Sequence, residues 1–119
     1  MANLIIGVGE IGILVRHSRS LKDKRQVMKG LVQKLRNLGF SATESDFLDD
    51  TRRGGIGYAF LGTHVSGVRK MLEESRRLAV GNFEVTFHAQ DLLDFDPEQS
   101  WEENALLAVK GGDDEEDDI

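Results

Sequence analysis

No cysteine occurs anywhere in the chain. Disulfide staples and thiolate chemistry are thereby excluded, and the composition suits a reducing compartment, so a cytoplasmic setting is expected. No apolar run approaches the roughly 18 residues that a membrane-spanning helix needs. The opening MANLIIGVGEIG lacks a basic stretch and a small-residue cleavage site, so no secretory leader is expected. The three histidines, His17, His64 and His88, share no helical or short-loop spacing, which argues against zinc. Asp91, Asp94 and Asp96 lack the turn glycine and the terminal glutamate of a calcium loop. No nucleophile elbow places a serine for catalysis. The expectation is therefore a protein with no catalytic residues, no metal and no cofactor.

Charge is present, but unevenly. The formal net charge of −6 over 119 residues hides two opposed parts. Residues 1–96 carry 14 basic and 12 acidic side chains, a net of +2, whereas residues 97–119 carry 1 and 9, a net of −8. Eight of the 15 basic residues fall between Arg16 and Arg36. One concentrated basic element and an acidic tail suggest a polyanionic partner, set against the plainer reading of a solvated helix face.

That basic element is also the clearest helix. Ser20 has the character of an N-cap, and Asp23 stands where a capping box closes. Val27, Met28, Leu31, Val32, Leu35 and Leu38 share an arc of ~140° on a helical wheel, and Lys22, Arg25, Lys29 and Arg36 a neighbouring arc of ~60°. Gly39 is suited to a left-handed stop. The helix is expected over residues 21–38.

Around it, residues 3–16 read as a central strand, apolar on both alternating faces. Residues 40–48 form a more polar second strand, and DDTRRGG (49–55) a loop. Residues 56–63 form a third strand with Ile56, Tyr58 and Phe60 on one face, which leaves no exposed aromatic stacking platform. Glu44 and Asp46, two apart, are expected on a common exposed face. A second helix is expected over residues 64–79, with Val65, Val68, Leu72 and Leu78 toward the core and Arg69–Glu73 and Lys70–Glu74 as surface pairs. After a turn at Gly81-Asn82 comes a fourth strand, 82–92. Its alternation places Phe83, Val85, Phe87 and Ala89 inward, and Glu84, Thr86, His88 and Gln90 outward. The order β-α-β-β-α-β defines an α+β, ferredoxin-like fold: a four-stranded antiparallel sheet with two helices on one face. The opposite face then needs a cover, from a second copy or from the C-terminal segment. That segment, 97–110, begins with Asp96 and Pro97 as helix-start signals and spaces Trp101, Ala105 and Val109 helically, so a third, C-terminal helix is expected. Residues 111–119 are too acidic to form a core.

Gly7-Val-Gly-Glu-Ile-Gly12 matches the G-x-G-x-x-G pattern of dinucleotide sites. The pattern works only where a helix opens inside it, and here Ile13-Leu14-Val15 continues the strand. Glycines in a twisted or bulged strand are the preferred reading, with nucleotide binding kept as an alternative.

The blocks SLKDKR (20–25) and KGLVQKLRN (29–37), placed after an I-G strand, resemble the bacterial YlxP-like family, also called domain of unknown function 503. The resemblance covers about residues 4–92 and includes Glu44 and Gly57. Ser20, Lys22, Asp23, Lys24 and Arg25 correspond directly to the family block. It implies a ferredoxin-like fold, no established reaction, and, from neighbouring translation genes, an RNA or ribosome role. The loop DDTRRGG and the acidic extension depart from the family pattern.

Together these readings lead to one expectation: a non-catalytic domain (1–96) contacting structured RNA or the ribosome. Lys22, Lys24, Arg25, Lys29 and Arg36 would meet phosphates, with Arg16, His17, Arg19 and Ser20 at the rim. Lys24 points nearest the core and would have to snorkel. The alternative is a homodimeric interaction module joined through the open sheet face. The six acids Asp113–Asp118 could fold back on the basic stripe, or simply solubilise the chain.

Overall fold

The computed structural model describes residues 3–98. Its elements follow the expected order: β1 (Leu4–Leu14), α1 (Leu21–Asn37), β2 (Ser41–Asp46), β3 (Arg53–Gly62), α2 (Val65–Asn82) and β4 (Glu84–Phe95). The sheet is antiparallel with strand order β2-β3-β1-β4. Both helices lie on one face, α1 over β2 and β3, α2 over β1, β3 and β4. This is the ferredoxin-like α+β arrangement. The proposed C-terminal helix (97–110) and acidic tail (111–119) fall almost wholly outside the described residues. The start of that segment is described, and there Asp96 Oδ1 accepts the Glu98 N–H at 3.0 Å, as a cap should.

Local chemistry sets the ends of α1. Ser20 Oγ accepts the Asp23 N–H at 3.1 Å, and Asp23 returns a carboxylate oxygen to the Arg19 N–H. Gly39, at φ +105°, ends the helix in the left-handed region where a side chain would be strained. Met28, Leu31 and Leu35 are buried against Ile11, Ile13, Ile56 and Tyr58 of the sheet. α2 adds Val68, Leu72, Ser75 and Ala79.

Several boundaries move from their expected places. β3 begins at Arg53, because Gly54 and Gly55 pair with Ile13 and Gly12 of β1 and shorten the loop. α2 continues through Asn82, so Gly81-Asn82 is helical rather than a turn; Asn82 Nδ2 donates to the Leu78 carbonyl at 2.7 Å. Val65 is exposed, since it opens the helix beyond the edge of the core. Glu73 pairs with Arg76 and Arg77, and Glu74 with Arg77, in place of the expected partners Arg69 and Lys70.

Two irregularities decide which side chains face which way. Between β1 and β4 the register slips at Gly12/Ile13: Gly12 pairs with Phe87 but Ile13 with Val85, so Thr86 is the extra residue of a bulge. Beyond it the alternation of β4 is inverted. Phe87 and Ala89, expected inside, are exposed on the open face; His88 and Gln90, expected outside, turn under α2. Gln90 Nε2 donates to Tyr58 Oη and to the Leu72 carbonyl, each at 2.8 Å. Ser75 Oγ donates to the same carbonyl at 2.6 Å. The Tyr58 proton is then directed at His88 Nε2, 2.8 Å away, which requires the neutral imidazole with its proton on Nδ1. Burial, followed by the nearby Arg76 charge, lowers the His88 pKa and favours that neutral form. The second slip lies in β2 between Glu44 and Asp46. It puts Glu44 beneath α1 and Asp46 on the open face, so the two acids do not share a side.

Candidate functional site

The flank of α1 keeps its cations in the open. Lys22, Arg25, Lys29 and Arg36 are all exposed, along a helix length of ~21 Å from Lys22 to Arg36 at ~1.5 Å per residue. Arg36 donates to the Ala42 carbonyl at 3.0 Å, which fixes its guanidinium above the β2 edge. Lys29 and Arg36 border a groove of about 380 Å³ between α1 and β2, with Gln33, Thr43 and Glu44 also lining it. Among the described residues no carboxylate forms an ion pair with Lys22, Arg25 or Lys29. On α2, by contrast, Arg76 and Arg77 are neutralised by Glu73 and Glu74 on the same helix, and only Arg69 and Lys70 lack an ion pair among the described residues.

Lys24 departs from the expected role. Its side chain is 0 % exposed, so it does not snorkel to the surface. Nζ donates to the Phe47 carbonyl at 2.7 Å and lies 3.5 Å from Glu44 Oε2. Glu44 Oε2 is buried without a hydrogen bond of its own, which leaves the Lys24 charge as its compensation. The carbonyl that Lys24 holds belongs to a residue at φ 56°, unusual for a phenylalanine. The second lysine of SLKDKR thus clamps the β2–β3 loop and makes no phosphate contact.

The loop before α1 is also partly committed. Arg16 forms a two-pronged ion pair with Glu84, at 2.8 and 2.7 Å, and that hydrogen bond lowers the Glu84 pKa and raises that of Arg16. Ser20 is the N-cap, and the Asp23 carboxylate already lies against the helix N-terminus, where it disfavours a second anion. His17 and Arg19 are exposed at the rim. Arg52, not among the expected residues, joins them: its Nε donates to the Ser18 carbonyl at 3.2 Å and its carbonyl accepts the Val15 N–H at 2.7 Å. Its only signal in sequence was the Arg-Arg pair of the loop. Asp50 organises that loop by accepting both the Arg52 and Arg53 amides at 2.8 Å, contacts that bring its pKa down to about 2.

The G-x-G-x-x-G glycines lie inside β1, and the next helix opens only at Leu21. Gly9 has no room for a side chain, because a Cβ there would stand 2.3 Å from Tyr58 Cζ. Among the described residues no three His, Asp or Glu side chains gather as a metal site, and no helix is long and apolar enough to cross a membrane.

A second concavity, about 480 Å³, opens on the other face of the sheet. Gly12 and Gly55 form part of its floor; Glu10, Asp46, Phe47, Arg53 and Phe87 stand around it. The Arg53 guanidinium lies 4.8 Å from the Phe47 ring centroid. Phe87, 54 % exposed, corrects the expectation that no aromatic ring is presented on the sheet.

Fold and surface together define a small ferredoxin-like α+β domain with a basic helix flank and a sheet face that none of the described residues covers. The sequence pattern of the family described as protein of unknown function (DUF503) matches residues 6–91. The chain belongs to that family. No curated protein matches the chain.

Proposed function

We propose that this protein binds structured RNA, free or within the ribosome, through the exposed flank of α1. One observation carries the reading: among the described residues Lys22, Arg25 and Lys29 stand in a row along one helix flank without carboxylate partners, whereas on α2 Arg76 and Arg77 are neutralised within the helix and only the adjacent Arg69 and Lys70 are not. A row of unpaired cations favours a polyanion, whose phosphates release condensed counterions on contact. Arg36, held over the β2 edge, extends the row, and His17, Arg19 and Arg52 supply its far end. Phosphate contacts of this kind position a duplex and carry little sequence information. The RNA is therefore selected by shape along the α1–β2 groove.

The test is fluorescence anisotropy with a structured ribosomal RNA fragment across a salt series. Four contacts predict a log–log slope of about −2.8 to −3.6, at ~0.7–0.9 per phosphate. The triple variant Lys22→Glu/Arg25→Glu/Lys29→Glu is expected to lose binding while its circular dichroism is unchanged. A folded triple variant that binds as tightly as the parent refutes the proposal. Heparin as competitor separates general polyanion affinity from preference for RNA.

A further inference from the structure

The open face of the sheet is built as a ridge and a notch. Across three strands, Leu61, Ile6 and Leu93 stand in one row, since Ile6 pairs with both of the others. Leu61 is 62 % exposed and Leu93 46 %, and Phe95 stands exposed beside them. Six residues along β1, at ~3.4 Å each a distance of ~20 Å, the corresponding row is Gly55, Gly12 and Phe87. Two of those three lack side chains, and the 480 Å³ concavity lies over them. Large apolar side chains project at one end of the face, and at the other the concavity opens over Gly12 and Gly55, walled by Phe47 and Phe87 with Glu10, Asp46 and Arg53 at its margin. Between the rows the face carries Val8, Ala59, Glu10 and Ala89, small or partly covered, with Asp91 toward the β4 edge.

We infer that this face binds a second copy of the chain, ridge into notch. A two-fold axis lying between the sheets, perpendicular to β1 and level with Gly9, reverses the strand direction and keeps the strand order. It sets Ile6 of one copy over Gly12 of the other, Leu61 over Gly55, and Leu93 over Phe87. The same operation repeats at the other end, so the surface is complementary to itself, as an isologous dimer requires. Ten residues on each of β1, β3 and β4 and six on β2 give a projected face of roughly 600 Å² per copy, or about 1,200 Å² for the pair, the lower end of the range for specific interfaces. Sheets packed ~10 Å apart leave both helix layers outside. The two α1 flanks then face away from each other, and one dimer offers two separate cationic rows.

Sedimentation equilibrium of the full chain, without RNA, reads the first consequence: twice the 13.3 kDa of one chain is expected. Two variants then test the register. Leu93→Lys/Phe87→Lys and Leu93→Glu/Phe87→Glu should each sediment as monomers, because like charges meet at both ends. Their equimolar mixture should restore the dimer, because each lysine then meets a glutamate. The chain has no cysteine of its own, so Leu93→Cys/Phe87→Cys offers a second readout. A short bismaleimide should join two copies, while the ~20 Å between these positions within one chain is beyond its reach. A parent that sediments as a monomer overturns the inference. So does a mixture that stays monomeric while both variants keep the parental circular dichroism. If residues 99–119 cover the ridge in their own chain, the intact protein is a monomer and removing them makes it associate, which also overturns the proposal. None of these results bears on the α1 reading, which is measured by RNA binding alone.

Discussion

Replacing Lys24 by methionine separates its clamping role from the phosphate role of its neighbours. Methionine keeps the apolar stem and removes the charge. Two effects follow from the geometry. The charge-assisted bond to the Phe47 carbonyl, 2.7 Å long, disappears, and bonds of that kind contribute ~1.5–3 kcal/mol. Glu44 is left as a mostly buried carboxylate without its cation. Orphaning one member of a fully buried pair costs ~3–5 kcal/mol. The 25 % exposure of the Glu44 side chain lets water soften that penalty. A net loss of about 3 kcal/mol is therefore expected for Lys24→Met, or ~12–18 °C in Tm for a domain of this size. Adding Glu44→Gln removes the orphaned charge, and the double variant should recover to within about 1.5 kcal/mol of the parent, the remainder being the unsatisfied Phe47 carbonyl. Urea unfolding of the parent, both singles and the double gives the coupling energy directly. Under conditions where Lys24→Met is folded, its RNA affinity and salt slope should match the parent's. The reasoning fails if Lys24→Met loses less than about 0.5 kcal/mol, or if the double variant is as unstable as the sum of the singles.

Gly9→Ala should destabilise the domain by about 3 kcal/mol in urea, because its Cβ displaces Tyr58 and breaks the hydrogen bonds to His88 and Gln90. The lowered His88 pKa means that the unfolded chain takes up a proton more readily than the folded one. The contribution of His88 to stability is therefore complete above its unfolded pKa of ~6.5 and is lost as pH falls from there toward the folded value. Urea midpoints between pH 7.5 and 5 should fall less for His88→Gln than for the parent; identical pH profiles would remove the argument. Glu84→Gln releases Arg16 from its two-pronged ion pair. Anisotropy at low salt should show tighter RNA binding for this variant, with the gain fading as salt is raised.

The parts of the fold readable in sequence are those set by short-range chemistry. Ser20 caps, Gly39 stops, and the Met28–Leu31–Leu35 stripe faces the sheet, because each depends on neighbours within one or two helical turns. The order of elements follows from these. What the sequence hid were single-residue slips in pairing. Thr86 carries no bulge signal of its own; its extra position exists only relative to Gly12 and Ile13 on another strand. The same holds at Glu44/Asp46. Lys24 was hidden for a different reason. A lysine on a basic helix reads as solvent-facing, and its burial makes sense only once Glu44 and the Phe47 carbonyl are seen above it. For the candidate site, the exposed row Lys22, Arg25 and Lys29 was legible from helical spacing, whereas the contribution of Arg52 required the loop's path in space.

The bulge at Thr86 also sets how this protein can vary. Along an uninterrupted strand, every second position is constrained, and the beat never changes. Here the beat reverses midway. Before Thr86 the constrained positions are Phe83 and Val85; after it they are His88, Gln90 and Leu92. Odd positions give way to even ones, and apolar requirements give way partly to polar ones. If Thr86 took an ordinary place in the pairing, opposite Gly12, β4 would keep a single rhythm. Phe87 and Ala89 would then lie beneath α2 and His88 and Gln90 would turn outward, removing the polar cluster around Tyr58 and the Phe87 wall of the notch together. One backbone position therefore ties the chemistry of the interior to the shape of the opposite surface, so that neither can drift without the other.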